Sequence, residues 1–276
     1  MREFAGKVAV VTGGASGIGR AAALALARRG VGIAIADVNP ARGEATASEI
    51  ADLGVRSSFT LCDVTSDAAV LGLRDRVLDH FGRVDILMNT AGVLAAGAFE
   101  DIPIAAWERC LQVNLLSCVR CVQAFLPALR QAGAGAGAHI VNTSSLSALF
   151  ANEPRLTPYA ASKAALVSLT ESLAVTLRPQ NIGVTCLCPG AVPTNIGESL
   201  ETYGEGGGLG VFAARYVPVR TAEEIGEMVA DAIAENRFLV ISGGTVQRVQ
   251  QMRAADPDRF VAGMAAFFAA GTDFPA

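Results

Sequence analysis

The sequence predicts an α/β domain: a doubly wound, mostly parallel sheet of about seven strands with helices on both faces. Three observations predict it. Short β-branched runs alternate with helical stretches from residue 7 to residue 242, the pattern of a parallel sheet with crossover helices. Apolar types make up 51% of the 276 residues, much of them Ala and Val, as strands buried on both faces require. The first strand ends in a glycine-rich turn, Thr12-Gly-Gly-Ala-Ser-Gly-Ile-Gly19, that opens a helix. No internal repeat or composition break divides the chain, so one domain spanning 1–276 is expected.

The elements follow in order. Residues 7–12 are the first strand and 17–29 a helix. Residues 31–37 are the second strand, and 40–53 a helix with Pro40 in its first turn, where the missing N–H does no harm. Residues 55–62 read as strand three, and 66–81 as a helix capped by Ser66. Strand four is 84–89, and a long helix runs from Pro103 to about Gln131. The connector 132–138 alternates Ala and Gly and reads as a surface loop. Strand five is 139–143. Thr157-Pro158 caps a helix to about Leu177, and 183–188 is strand six. Thr221-Ala-Glu-Glu224 is a capping box for a helix to about Asn236, before strand seven at 238–242. Residues 245–276 read as one or two short helices with an apolar stretch from Phe260 to Phe268. That stretch packs on the body or meets a partner subunit.

Bulk properties exclude several classes. A formal charge of −4 with no Lys/Arg cluster leaves no footprint for nucleic acid. The chain enters a strand directly, without an apolar signal core, and no run of about 18 apolar residues suggests a membrane span. A cytoplasmic protein is expected. Of six cysteines, Cys118 and Cys121 form a C-x-x-C and Cys186 and Cys188 a C-x-C. Neither His80 nor His139 lies near them in sequence, so a four-ligand zinc site is not expected; buried thiols acting as small hydrophobes are. No metal is called for.

The glycine turn points to a dinucleotide. Glycines between a first strand and a helix let the backbone approach a pyrophosphate at the helix N-terminus. Gly13, Gly17 and Gly19 stand there with the spacing G-x-x-x-G-x-G. Asp37 ends the second strand about 20 residues on, where an acid marks such a site. Its carboxylate would accept hydrogen bonds from the adenosine ribose and repel a 2′-phosphate. Neither Ser16 nor Val38 is basic, so NAD is expected in preference to NADP. Asp63-Val64 ends strand three, where an adenine ring would rest. Asn89-Thr-Ala-Gly92 ends strand four with small residues, giving Asn89, Ala91 and Gly92 as cofactor candidates.

Tyr159-Ala-Ala-Ser-Lys163 carries the chemistry. On a helix this spacing puts both side chains on one face, one turn apart. At about 4 Å and an effective dielectric near 20, the lysine ammonium would favour the phenolate by about 4 kcal/mol, or about three pKa units. Tyr159 would then titrate near neutrality, where an acid/base catalyst works best. Ser144-Ser145 lies shortly before it.

Together these residues resemble the short-chain dehydrogenase/reductase family, over residues 5 to about 242. The motifs are residues 12–19, Asp63, residues 89–92, Asn114, Ser145 with Tyr159 and Lys163, and Pro189-Gly-Ala-Val-Pro-Thr194. The resemblance implies a Rossmann fold and hydride transfer between NAD(H) and a secondary alcohol or ketone. Tyr159 would be the acid in reduction and the base in oxidation. Lys163 would lower its pKa and hold the nicotinamide ribose. Ser145 would hydrogen-bond the substrate oxygen. Asn114 would hold a water linking Lys163 to solvent. Val192 and Thr194 would hold the carboxamide, with Ser16, Ile18, Pro189 and Gly190 also against the cofactor. Two departures stand out: Thr90 replaces the family's second Asn, and the Ser145–Tyr159 interval is one residue longer than usual, which leaves Ser147 as a rival serine.

Residues 195–218 would form a substrate lid, with glycines for mobility and Leu209, Val211 and Phe212 for cover. Leu94, Phe150 and Val192 would line the substrate wall. No basic residue plainly awaits an anion, although Arg155 and Arg215 are within reach of the role, so a neutral alcohol or ketone is expected. The resemblance also implies a homodimer or homotetramer. Trp107, Leu111, Leu115, Cys118 and Val122 recur at helical spacing on the helix that would pair with the Tyr159 helix across a two-fold axis. Two other functions fit the same fold: a dinucleotide-sensing regulator without catalysis, and an NAD-dependent epimerase-type enzyme. The intact Ser145, Tyr159, Lys163 and Asn114 set argues against the regulator, which needs no proton relay.

Overall fold

The structure is a computed structural model that describes residues 3–204, 218–242 and 245–270. Its main sheet is built from β1 (Val8–Thr12), β2 (Gly32–Asp37), β3 (Ser57–Leu61), β4 (Ile86–Asn89), β6 (Ala138–Thr143), β7 (Ile182–Cys188) and β9 (Leu239–Ile241). All seven are parallel, in the order β3-β2-β1-β4-β6-β7-β9. Winding reverses between β1 and β4, and ligands of such sheets bind outside the carboxyl ends of the strands at that switch. The helices are α1 (Gly17–Ala27), α2 (Pro40–Ala51), α3 (Asp67–Phe81), α4 (Ile104–Leu111), α5 (Ser117–Gly133), α6 (Thr157–Leu177), α7 (Ala222–Glu235), α8 (Thr245–Ala255) and α9 (Pro257–Ala270).

Strand periodicity sorts the core into two layers, because successive side chains point to opposite faces. Ala9 and Val11 of β1 join Ile33 and Ile35 of β2 and Ile86 and Met88 of β4 under α1 and α7. The alternate residues Val8, Val10, Ala34, Ala36 and Leu87 pack with Val70, Leu73 and Val77 of α3 and Phe125 and Leu129 of α5. Both faces are covered, which is why these strands read as continuous apolar runs. The caps follow local chemistry. Asn39 Oδ1 accepts from Arg42 N at 3.0 Å, Ser66 Oγ from Ala69 N at 3.3 Å, and Thr221 with Glu224 closes the capping box.

Several elements depart from expectation. The 103–131 helix is α4, a five-residue π turn at Gln112–Leu116, then α5. Thr157 does not cap α6: the N-cap is Leu156, and Thr157 Oγ1 is buried without a partner. A second sheet pairs β5 (Ala95–Gly97) with β8 (Glu201–Tyr203), in parallel. It anchors the start of the expected lid, preceded by a 3-10 turn at Asn195–Ser199. The lid's remaining expected apolar residues, Leu209, Val211 and Phe212, lie outside the described residues, as does Arg215.

The C-terminal helices pack on the body. Val246 and Val249 of α8 and Phe260, Met264 and Phe267 of α9 are buried with Leu146, Leu149, Cys186 and Cys188. By length and composition alone the stretch Ile104–Gly133 would suffice to cross a membrane, which was not expected. It carries Arg109, a buried Asn114 and Arg120, and its Cys121, Phe125 and Leu129 face seal the sheet. This is a core helix.

Candidate active site

A cleft of about 460 Å³ opens along the carboxyl ends of the strands, from Asp37 and Asp63 at one end to Ser145, Tyr159 and Lys163 at the other. Its floor is the glycine turn. Gly13 has φ 66°, and a Cβ there would stand 2.6 Å from Ala91 N. Gly17 has φ 52°, and a Cβ there would meet Thr194 at 3.0 Å. Glycine alone suits both the left-handed backbone and the space. A Cβ at Gly19 would run into the Gly13 carbonyl oxygen, so Gly19 serves helix packing and lies below the cleft. At the α1 N-terminus, Ser16 makes no side-chain cap and the first turn holds no acid. The end of α1 thus keeps its uncapped amides and positive dipole for an anion. These features fit a dinucleotide pyrophosphate.

Asp37 is fixed by two backbone donors, Ala15 N at 3.1 Å and Asn39 N at 3.0 Å. Val38, Asn39 and Arg42 line the same end. Arg42, five residues past Asp37, was missed by inspection of the residue next to the acid. Its guanidinium makes a two-pronged pair with Glu198, at 2.7 and 2.9 Å. Asp63, Val64, Ala91, Gly92, Pro189, Gly190, Val192 and Thr194 line the cleft as well, with Ser16 and Ile18. Asn89 does not. It is buried, and its Nδ2 donates to Asn142 Oδ1 at 2.8 Å, joining β4 to β6.

The catalytic candidates meet at the end of β6. Ser145 and Tyr159 both line this end of the cleft, and Ser145 Oγ accepts from Ser147 N at 3.1 Å. Ser147 itself does not line the cleft. Burial pushes the Tyr159 phenol up to about 12, and Ser145 only partly opposes this. Burial likewise pushes Lys163 below its ordinary value. Lys163 Nζ donates to the Thr143 carbonyl at 2.8 Å and lies 5.8 Å from the centroid of the Tyr159 ring. The expected near-neutral Tyr159 is therefore not what this geometry gives: the ammonium is tied to the strand end, and desolvation dominates the phenol's shift.

Asn114 sits in the π turn, a distortion that recurs at functional sites. Its Oδ1 accepts from Val93 N at 2.9 Å, and its Nδ2 donates to Val93 O at 3.1 Å and Ser162 Oγ at 3.0 Å. Ser162 Oγ in turn donates to the Tyr159 carbonyl at 2.7 Å. Both amide protons are used, so this side chain braces the Tyr159 turn.

Leu94 packs with Leu156 and Tyr159, flanked by Ile196 and Leu200. Phe150 does not join the substrate wall. It is buried in the C-terminal cluster, edge-on to Phe260 at 6.3 Å, because α9 offers it an apolar socket that the sequence pattern did not reveal. Among the described residues no cluster of His, Cys, Asp or Glu suits a metal, and all six cysteines are free and buried. His139 is buried, with Nε2 2.8 Å from Thr185 Oγ1, and burial pushes its pKa down to about 3.

A family model described as short chain dehydrogenase matches residues 7–203. A probable oxidoreductase, EphD, of Mycobacterium bovis is 40% identical over 193 residues, which are 70% of this chain and 32% of that protein. The chain thus matches about a third of the length of this curated relative. The cis-4-hydroxycyclohexanecarboxylate dehydrogenase of Sinomonas cyclohexanicum is 34% identical over 249 residues, covering 87% of this chain and 97% of the relative. Among solved structures, a short-chain dehydrogenase/reductase from Burkholderia phymatum in complex with NAD superposes with a TM-score of 0.83 at 32% identity, over 94% of this chain and 96% of that one. The glycine turn, the Ser145–Tyr159–Lys163 cluster and these matches agree: this chain belongs to the short-chain dehydrogenase family of NAD(P)-binding oxidoreductases.

Proposed function

We propose that the protein transfers a hydride between NAD(H) and a secondary alcohol or ketone, with Tyr159 as the general acid and base. The observation that carries this is one continuous cleft with a carboxylate, Asp37, at one end and Ser145, Tyr159 and Lys163 together at the other. The dinucleotide, when bound, supplies the hydride chemistry. The chain's residues bind, orient and move the proton. The α1 N-terminus holds the pyrophosphate, Asp37 holds the adenosine ribose, Asp63 with Val64 flanks the adenine, and Thr194 joins Val192 at the carboxamide. Lys163 holds the second ribose, and Val192 faces the carboxamide.

Ser145 Oγ binds the substrate oxygen beside the Tyr159 phenol. In reduction the phenol gives its proton to that oxygen. In oxidation the phenolate takes it back. Asn114 positions Tyr159 through Ser162, and any water it holds rests on its main-chain carbonyl. Val93, Val113 and Ile196 give the substrate end an apolar wall, with Leu94 and Leu156 packed behind Tyr159. That wall suits a neutral ring or chain bearing one hydroxyl, and the hydroxycyclohexane substrate in the relative's name is of that kind.

The same proposal takes residues 1–276 as one catalytic domain, working in the cytoplasm as a homodimer. Six unpaired cysteines suit a reducing compartment. Exposed apolar residues lie on and near α4 and α6: Phe99 just before α4, Ile104 and Leu111 on α4, Leu116 in the π turn and Val175 on α6. The test is a panel of secondary alcohols with NAD, followed at the nicotinamide absorbance. NADH formation with at least one alcohol is expected. Dinucleotide binding without turnover on any of them would favour a sensor, and conversion of a substrate epimer without net NADH would favour an epimerase.

A further inference from the structure

Arg42 and Lys163 are the only basic residues among the described residues that line the cleft. They stand at opposite ends. Arg42 shares its end with Asp37, which raises the Arg42 pKa through its charge, after the larger effect of Glu198. Any 2′-phosphate on the adenosine ribose would arrive beside Asp37, and among the described residues Arg42 is the cation placed to receive it. Arg42 is nevertheless committed. Nη1 donates to Glu198 Oε2 at 2.7 Å and Nη2 to Oε1 at 2.9 Å, the fork-to-fork geometry that a phosphate would otherwise claim. Glu198 is itself steadied by Asn195 Nδ2 at 2.6 Å. It belongs to the 3-10 turn after Thr194, the residue that lies against Gly17.

We infer that Glu198 is a specificity-determining residue that works by withholding Arg42 from a 2′-phosphate. Asp37 repels the phosphate directly, and Glu198 occupies the cation that would offset that repulsion. The trio of Asp37, Arg42 and Glu198 carries a net charge of about −1 at neutral pH, by the ordinary ionisation of these groups. Replacing Glu198 by glutamine brings the trio to about zero and opens the guanidinium fork. The inference rests on the dinucleotide-binding function proposed above. It deepens that function by assigning part of the NAD preference to a residue 161 positions from the acid that carries the rest, by the numbering of Asp37 and Glu198.

The experiment reads binding, without turnover. NADH and NADPH are titrated separately into the wild-type protein, Glu198→Gln, and Glu198→Gln combined with Arg42→Ala, with the dissociation constant read from reduced-nicotinamide fluorescence. Glu198→Gln is expected to tighten NADPH about tenfold, the scale of one charge-assisted contact. NADH should move by less than about threefold, which also shows that the variant folds. Adding Arg42→Ala should erase the NADPH gain. Adenosine 2′,5′-bisphosphate should compete better against Glu198→Gln than against the wild type. Equal changes for NADH and NADPH, or a gain that survives Arg42→Ala, would overturn the inference while leaving the proposed function intact. Failure of the wild-type protein to bind either dinucleotide would overturn both.

Discussion

Lys163 Nζ hydrogen-bonds the carbonyl of Thr143, at 2.8 Å, and not the phenol of Tyr159, whose ring centroid is 5.8 Å away. The ammonium is anchored by β6 and lies over the ring. Burial of the phenol pushes Tyr159 up to about 12. Tyr159 is thus a neutral acid at pH 7. An ultraviolet difference titration of wild type against Tyr159→Phe should show no tyrosinate from this residue below its ordinary value of 10. A Tyr159 signal near pH 7 would mean that the lysine governs the phenol after all.

Asp37 accepts from Ala15 N and Asn39 N, so its carboxylate is held rigidly at the ribose end. Asp37→Ala removes the ribose acceptor and the like charge that opposes a phosphate. The efficiency kcat/KM with NAD should fall about ten- to a hundredfold, the range for hydrogen bonds to a charged group, and the preference should move toward NADP. Comparable kcat/KM for NAD and NADP in the wild-type enzyme would contradict the role given to Asp37.

The π turn places Leu111 and Leu116 about one turn apart at the junction of α4 and α5, and both remain exposed. Ile104 is 71% exposed nearby, and Val175 of α6 is 73% exposed. Exposed apolar side chains on α4, the π turn and α6 suit an interface, and a second copy of the chain, meeting them across a two-fold axis, is the occupant proposed. Sedimentation at micromolar concentration should give a dimer, and Leu111→Arg with Leu116→Arg should shift it to monomer. A monomeric wild-type protein would contradict this.

His139 makes the fold acid-sensitive. Its folded pKa is pushed down to about 3 from 6.5 by burial, so the unfolded chain binds the proton first as pH falls. Stability from this group is therefore complete above 6.5 and drains away as pH drops toward 3. The slope is at most about 1.4 kcal/mol per pH unit. Chemical denaturation of His139→Gln should show a flatter dependence than wild type across that window. Equal slopes would mean that His139 titrates normally in the folded protein.

The parts legible in the sequence are those written in local chemistry. Ser66 and the Thr221–Glu224 box announce their helices because capping is settled within four residues. Gly13, Gly17 and Asp37 announce the cleft because strand, turn and acid follow one another at fixed spacing. Thr157 misled because a Thr-Pro start resembles a cap, and the helix begins one residue earlier in role, at Leu156. Contacts made across the chain were not legible. Phe150 meets Phe260, β5 meets β8, and Arg42 meets Glu198 156 residues away. Periodicity gives the face a residue occupies but not the partner that the fold brings to it. The Tyr159–Lys163 spacing is right for a shared face, yet it carries no information about Thr143, whose carbonyl accepts the lysine's hydrogen bond.

The most direct test is the turnover of Tyr159→Phe with NAD and the best secondary alcohol of the panel. The substitution keeps the buried ring and removes the transferable proton, so kcat should fall by about 10² or more, the range for general acid/base work, while NADH binding measured by fluorescence stays within a few-fold of wild type. Turnover close to that of the wild-type enzyme would contradict the central claim, because some other group would then be moving the proton.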